Sequence, residues 1–164
     1  MVKFTQKYTL IQLLEKIEDG YEFTASSWPL HTTIADTFGV NWDEGDLLGR
    51  LQALLAKHKE VHTHATEFEY FGPSKQTKVI LLDLNEELRE LHNSVVRLLL
   101  DSGAVFNDPQ FMGVGFLPHS TVQPHAQLSK GDAVTFSALS LVDMFPAGDP
   151  YKRKVLTTIK LLGK

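Results

Sequence analysis

Two short stretches, "WPLHTTIADTF" over residues 28–38 and "LPHSTVQPH" over residues 117–125, each place a histidine two positions ahead of a threonine in a run that otherwise reads as a strand. An imidazole with an ordinary pKa near 6.5 can give or take a proton at neutral pH. Side chains on a strand alternate, so His31 and Thr33 share one face while Leu30, Thr32 and Ile34 take the other. His119 and Thr121 repeat the arrangement, with Pro118, Ser120 and Val122 behind them. Each stretch offers one ring nitrogen and one hydroxyl to a common space, and two of them supply the parts for paired general acid/base chemistry.

The other histidines are set apart by context. Four of the seven are followed two positions later by Ser or Thr. His92 with Ser94 falls on a helix, where residues two apart diverge, so it reads as structural. His64 with Thr66 is followed by Glu67 and has no proline ahead of it. His62 and His64 share a strand face and have a zinc-ligand spacing, with His58 or a carboxylate as a conceivable third ligand; the sequence marks none, so no metal is assigned. His125 shares the parity of His119 but follows Pro124, which interrupts a ladder, and is not assigned to the site. Trp28, Phe116 and Tyr151 are candidates for stacking on a base or ribose. The run Lys152, Arg153, Lys154 suits either a phosphate contact or a solvated strand end.

Helical periodicity runs through Leu47, Leu48, Leu51, Leu54 and Leu55, and again through Leu88, Leu91, Val95, Leu98 and Leu99. Asp43 and Asn85 are the expected N-caps, and Gly103 fits just past the second helix. Strands are expected near 7–14, 29–37, 61–71, 77–84, 114–124, 133–142 and 153–161, with 8–18 readable also as a short helix. Strands outnumber helices and "GPSKQT" is a hairpin-length connection, so the class is α+β with antiparallel pairing. Each half holds one long helix, several strands and one histidine strand. This echo predicts two pseudo-symmetric lobes, each an antiparallel sheet with a helix on the outside, around a central cleft.

Residues 1–164, 43% hydrophobic and 22% charged, suit a single domain with one substantial core. A net charge of -4 argues against coating a long duplex by counterion release. The absence of cysteine excludes disulfides, thiolate metal sites and a cysteine nucleophile. The N-terminus lacks a signal-peptide pattern, and apolar runs such as "KVILLDL" are far short of a membrane span. A monomeric cytoplasmic protein is the expectation.

The pair "HTTI" and "HSTV", with "WPL" and "FLP" ahead of them, "FG" before "VILLDL" and a helix in each half, resembles the two-histidine (2H) phosphoesterase superfamily, which includes the 2'-5' RNA ligase-like proteins and cyclic nucleotide phosphodiesterases. The resemblance covers most of the chain. It implies His31 and His119 as acid and base, Thr33 and Thr121 as phosphate-binding hydroxyls, and no cofactor. The implied activity is metal-independent cleavage of a 2',3'-cyclic phosphate or 2'-5' phosphodiester in a small nucleotide or RNA end. The alternative is a non-catalytic module that binds nucleotides or RNA ends in the same cleft.

Overall fold

A computed structural model describes residues 6–41 and 43–163. The helices form where the leucine spacing demands. Helix α1 (Glu44–Leu55) buries Leu47, Leu51 and Leu55, and α2 (Glu86–Asp101) buries Leu88, Leu91, His92, Val95, Val96 and Leu99. Both predicted caps are made: Asp43 accepts the Asp46 N–H at 2.8 Å and Asn85 accepts the Leu88 N–H at 2.9 Å. Gly103 takes a φ of 85° just past α2, a left-handed conformation that glycine adopts without a Cβ penalty.

The strands are β1 (Lys7–Leu13), β2 (Glu22–Thr24), β3 (His31–Gly39), β4 (Val61–Phe71), β5 (Thr77–Leu82), β6 (Val105–Phe106), β7 (His119–Thr121), β8 (Ala133–Phe136), β9 (Ala138–Asp143) and β10 (Lys152–Lys160). They build one six-stranded sheet, β2-β10-β9-β1-β3-β6, and one four-stranded sheet, β7-β5-β4-β8. Every pairing among the described residues is antiparallel, so the α+β expectation holds. One apolar core joins both sheets and both helices, with Leu10, Ile34 and Phe38 from the larger sheet, Ile80 and Phe136 from the smaller, and Leu51 and Leu91 from the helices. A separate small cluster of Ile11, Phe23, Val142 and Val155 packs with Trp28.

Several predicted boundaries move, each for a local reason. The stretch 8–18 is not a helix: β1 lies inside the larger sheet between β3 and β9, with Tyr8 and Leu10 in the main core on one face and Ile11 in the small apolar cluster on the other, and burial on both faces erases the alternation that marks a strand. The expected strand 133–142 divides at Ser137, so that β8 joins the smaller sheet and β9 the larger. Gln12 Oε1 accepts the N–H groups of Ser137 at 2.8 Å and Ala138 at 3.0 Å, satisfying the backbone where the chain changes sheets. The expected strand 114–124 shrinks to His119–Thr121. Ahead of it, Gly113–Gly115 is a 3₁₀ turn packed so closely that a Cβ on Gly115 would stand 1.9 Å from the Gln110 carbonyl oxygen. Strands β2 and β6, of three and two residues, are too short to carry a readable alternation. The reading of the N-terminus rests partly on residues 1–5, which lie outside the described residues. No helix among the described residues is long and apolar enough to cross a membrane.

His92 is fully buried, as a structural histidine should be, and it ties the two histidine segments together from behind. Its Nδ1 lies 2.7 Å from the Ile34 carbonyl in β3, its Nε2 accepts the Gly113 N–H at 3.0 Å, and its ring stacks on Phe116 at 3.6 Å. Because a carbonyl only accepts and Nε2 is accepting, the ring is neutral with its proton on Nδ1. Burial accordingly pushes its pKa down, and the same holds for His31 and His119. A folded-state pKa below the unfolded value of about 6.5 means that the unfolded chain binds more protons, so this stability is present above that pH and lost as pH falls through the folded values. The urea midpoint should therefore drop on acidification below about pH 6.5. His92→Leu, which strands the Ile34 carbonyl and the Gly113 N–H, should cost about 1–3 kcal/mol at pH 7.5 and flatten that acid slope. An unchanged slope in the variant would show that His92 does not contribute to it.

Candidate active site

His31 opens β3 and His119 opens β7, and the two are anchored in the same way. Nδ1 of His31 lies 2.8 Å from the Pro29 carbonyl, and Nδ1 of His119 lies 2.8 Å from the Leu117 carbonyl. In each case the acceptor is the carbonyl two residues back. Since that oxygen can only accept, Nδ1 carries the hydrogen, and in the neutral ring Nε2 keeps its lone pair for other chemistry. Burial alternates as the spacing predicts: Leu30, Thr32 and Ile34 are buried behind His31 and Thr33, and Ser120 is buried between the half-buried His119 and Thr121.

The buried hydroxyl of Thr32 joins the two strands. Its Oγ1 donates to the His119 carbonyl at 2.8 Å, across the line where the two sheets meet. Ser120, the matching position in the second motif, is buried without a hydrogen-bond partner among the described residues, so the two halves are not equivalent at this seam. The hydroxyls of Thr33 and Thr121 have no protein hydrogen-bond partner among the described residues and share the histidine faces.

Each imidazole has an aromatic neighbour. The Trp28 ring lies 4.7 Å from that of His31 and itself packs on Phe23 at 4.8 Å, so the small apolar cluster supports the first motif. Phe71, at the end of β4, meets His119 edge-on at 4.8 Å. Sequence reasoning does not single out Phe71, although its "FG" step before the hairpin turn is the available signal. Phe116, expected at the cleft, lies in the core against His92, because the glycine turn before it directs it inward. Tyr151 stands 77% exposed, with its carbonyl accepting the Ala25 N–H, and has no ring contact with either histidine among the described residues.

The basic run separates by strand parity. Lys152 and Lys154 line a hollow of about 490 Å³ with Glu22, Glu44, Asp143 and Asp149, which contains neither motif histidine. Arg153 points the other way, 5.9 Å from the Trp28 ring, and its Nη1 donates to the carbonyls of Met144, Pro150 and Lys152. His62 and His64 are exposed on β4, and His62 Nδ1 is 3.1 Å from Thr135 Oγ1. No group of three His, Asp or Glu side chains converges to hold a metal among the described residues.

Charge distinguishes the two histidines. Burial lowers the pKa of both, and the charge of His119 lowers that of His31 further. His119 also feels the Asp36 carboxylate, which raises its pKa and favours its protonated form. Asp36 lies later on β3, accepts the Thr37 N–H at 2.9 Å, and has its own pKa raised by burial and by Asp108. Its signal is a carboxylate in the run Ile34 to Phe38, among the buried residues Ile34, Ala35 and Phe38. His125 lies 2.8 Å from Glu15, whose carboxyl is held below the usual range by the Leu30 N–H and by His125.

The family model described as the 2'-5' RNA ligase superfamily matches residues 7–139, a span that includes both histidine motifs. The chain belongs to the 2'-5' RNA ligase superfamily. This superfamily member matches no curated protein. Its fold is similar to solved structures: TT0787 of Thermus thermophilus, with a TM-score of 0.59 at 16% identity over 96% of this chain and 99% of the other, and Escherichia coli LigT complexed with NADP+, with 0.58 at 16% over 97% and 99%. A structure of E. coli LigT complexed with 3'-AMP aligns at 0.58 with 16% identity over 95% and 98%. These likenesses show a shared α+β fold.

Nitrogen-15 NMR of histidine-labelled protein at neutral pH should find His31 and His119 both as Nδ1–H tautomers, with His31 titrating at the lower pH. Asp36→Asn should lower the His119 midpoint and leave its tautomer unchanged. Equal midpoints in parent and variant would separate Asp36 from His119.

Proposed function

We propose that this superfamily member is a metal-independent phosphodiesterase that opens 2',3'-cyclic phosphates or cleaves 2'-5' phosphodiester bonds in small nucleotides or RNA ends. The observation that carries this reading is the matched anchoring of His31 and His119 on strands joined through Thr32. Two imidazoles with free Nε2 atoms give a phosphorus centre one acid and one base, and the hydroxyls of Thr33 and Thr121 give its non-bridging oxygens hydrogen-bond donors.

Electrostatics assigns the roles. In the singly protonated pair, His31, without a carboxylate among the causes of its shift, is the neutral base, and His119, whose burial is opposed by Asp36, keeps the proton as the acid. For a cyclic phosphate, His31 Nε2 takes a proton from water as its oxygen bonds to phosphorus. The bond from phosphorus to one ribose oxygen then breaks, and His119 Nε2 protonates that oxygen. The reaction consumes one water and leaves a phosphomonoester. Trp28 and Phe71, on the rings' apolar flanks, hold the imidazoles in place. The substrate is a small nucleotide or RNA end bound by a monomer in the cytoplasm; the net charge of -4 does not favour long duplexes.

The test is hydrolysis of 2',3'-cyclic nucleotides and 2'-5' linked dinucleotides with EDTA present. Replacing either histidine with alanine should lower kcat/KM by about 10²- to 10⁴-fold with the fold intact. Because both pKa values lie below the ordinary value of about 6.5, the profile should be bell-shaped with its maximum on the acid side of that pH. Parental activity in His119→Ala, or activity climbing steadily from pH 5 to 9, would contradict the reading. Binding without product over hours would identify a non-catalytic module instead.

A further inference from the structure

A contact between the Glu15 and His125 side chains links the two lobes away from the reacting groups. Glu15 follows β1, and its Oε2 accepts the Leu30 backbone N–H at 2.6 Å and pairs with His125 Nε2 at 2.8 Å. Leu30 immediately precedes His31, whereas His125 follows β7 in the loop leading to β8. One carboxylate oxygen thus serves a backbone group of the larger sheet and a side chain from the smaller.

The local sequence explains why it does so. The β1–β3 ladder ends at Leu13 and His31; one step beyond, the Leu14 N–H still donates to the Leu30 carbonyl at 2.8 Å, but the Leu30 N–H goes to the Glu15 side chain. On the other side, Pro124 fixes the backbone ahead of His125, and Gln123 and Ala126 close the turn that presents it, with the Gln123 N–H donating to the Ala126 carbonyl at 3.0 Å. The other side-chain ties described between the two motif segments, from Thr32 to the His119 carbonyl and from His92 to Ile34 and Gly113, are buried beneath them. The Glu15–His125 tie is at the surface, with the His125 side chain 52% exposed and that of Glu15 33% exposed.

We infer that Glu15 is a positioning residue which, through His125, holds the His31 and His119 strands at a fixed separation. The inference rests on the phosphodiesterase reading, because a single phosphate must meet both Nε2 atoms at once. Substrate affinity then scales with the fraction of molecules that already have the right separation. Loosening the tie lowers that fraction in the free enzyme, while a bound phosphate restores it. The expected signature is a change in KM with little change in kcat.

His125→Ala removes the tie at an exposed position and leaves the core untouched. It should raise KM about two- to fivefold, the range that an exposed side-chain pair can supply, with kcat within about twofold of the parent. A second readout needs no substrate. The chain has no cysteine, so nitroxide labels can be confined to Ser27→Cys and Gln76→Cys, exposed positions in the segments of opposite sheets. Pulsed electron resonance should give a narrow label-to-label distance distribution in the otherwise unaltered protein, and a broader or longer one when either His125→Ala or Glu15→Ala is added. Glu15→Ala should also reduce kcat, because the Leu30 N–H loses its acceptor. Unchanged distributions in both variants would overturn the inference whatever the activity, as would a loss of kcat in His125→Ala with KM unaltered.

Discussion

The hydrogen bond from Thr32 Oγ1 to the His119 carbonyl is the constraint on which the rest of the site depends. Neither histidine strand pairs with the other through a backbone ladder: β3 is bound to β1 and β6, and β7 to β5. Two sheets meeting edge to edge could slide or splay. A buried hydroxyl donating across the seam makes that motion costly, because separation would leave a polar group unsatisfied in the interior. His92 reinforces the seam from the helix side, with one ring nitrogen on β3 and the other on the loop that leads to β7.

With the seam fixed, the local geometry of each imidazole follows from its own chain. The carbonyl two residues back claims Nδ1, and this selects the tautomer and aims Nε2 outward. Rings held in this way need little reorganisation when a phosphate arrives. Asp36 then breaks the near-symmetry of the two motifs, giving one histidine a reason to keep its proton that the other lacks. A pair of similar groups with unequal proton affinity is what acid/base catalysis requires at a single pH.

Much of this is legible in the sequence because it rests on short-range periodicity. Strand parity correctly separates His31 and Thr33 from Leu30, Thr32 and Ile34, and the leucine spacings find both helices and their caps. Two-residue divergence on a helix correctly sets His92 aside as structural. What escapes depends on contacts distant in the chain. Phe71 and Asp36 approach His119 from β4 and β3; the "FG" step and the carboxylate among buried residues mark the two positions, but neither says that His119 is the neighbour. Phe116 is misleading because it sits just ahead of the motif, as Trp28 does, but the glycine turn before it directs the ring into the core. The sheet change at Ser137 is hidden because one apolar run serves two sheets, and the residue that makes the change possible, Gln12, is far away in sequence.

The central claim is that His31 and His119 address one phosphorus atom from opposite sides. A crystal structure with a nucleoside vanadate complex tests it most directly, since vanadate adopts the trigonal bipyramid of in-line displacement. The account predicts one apical oxygen within hydrogen-bond reach of His31 Nε2, the other within reach of His119 Nε2, and Thr33 and Thr121 on equatorial oxygens. A vanadate held by only one histidine, or with both histidines on the same apex, would contradict it.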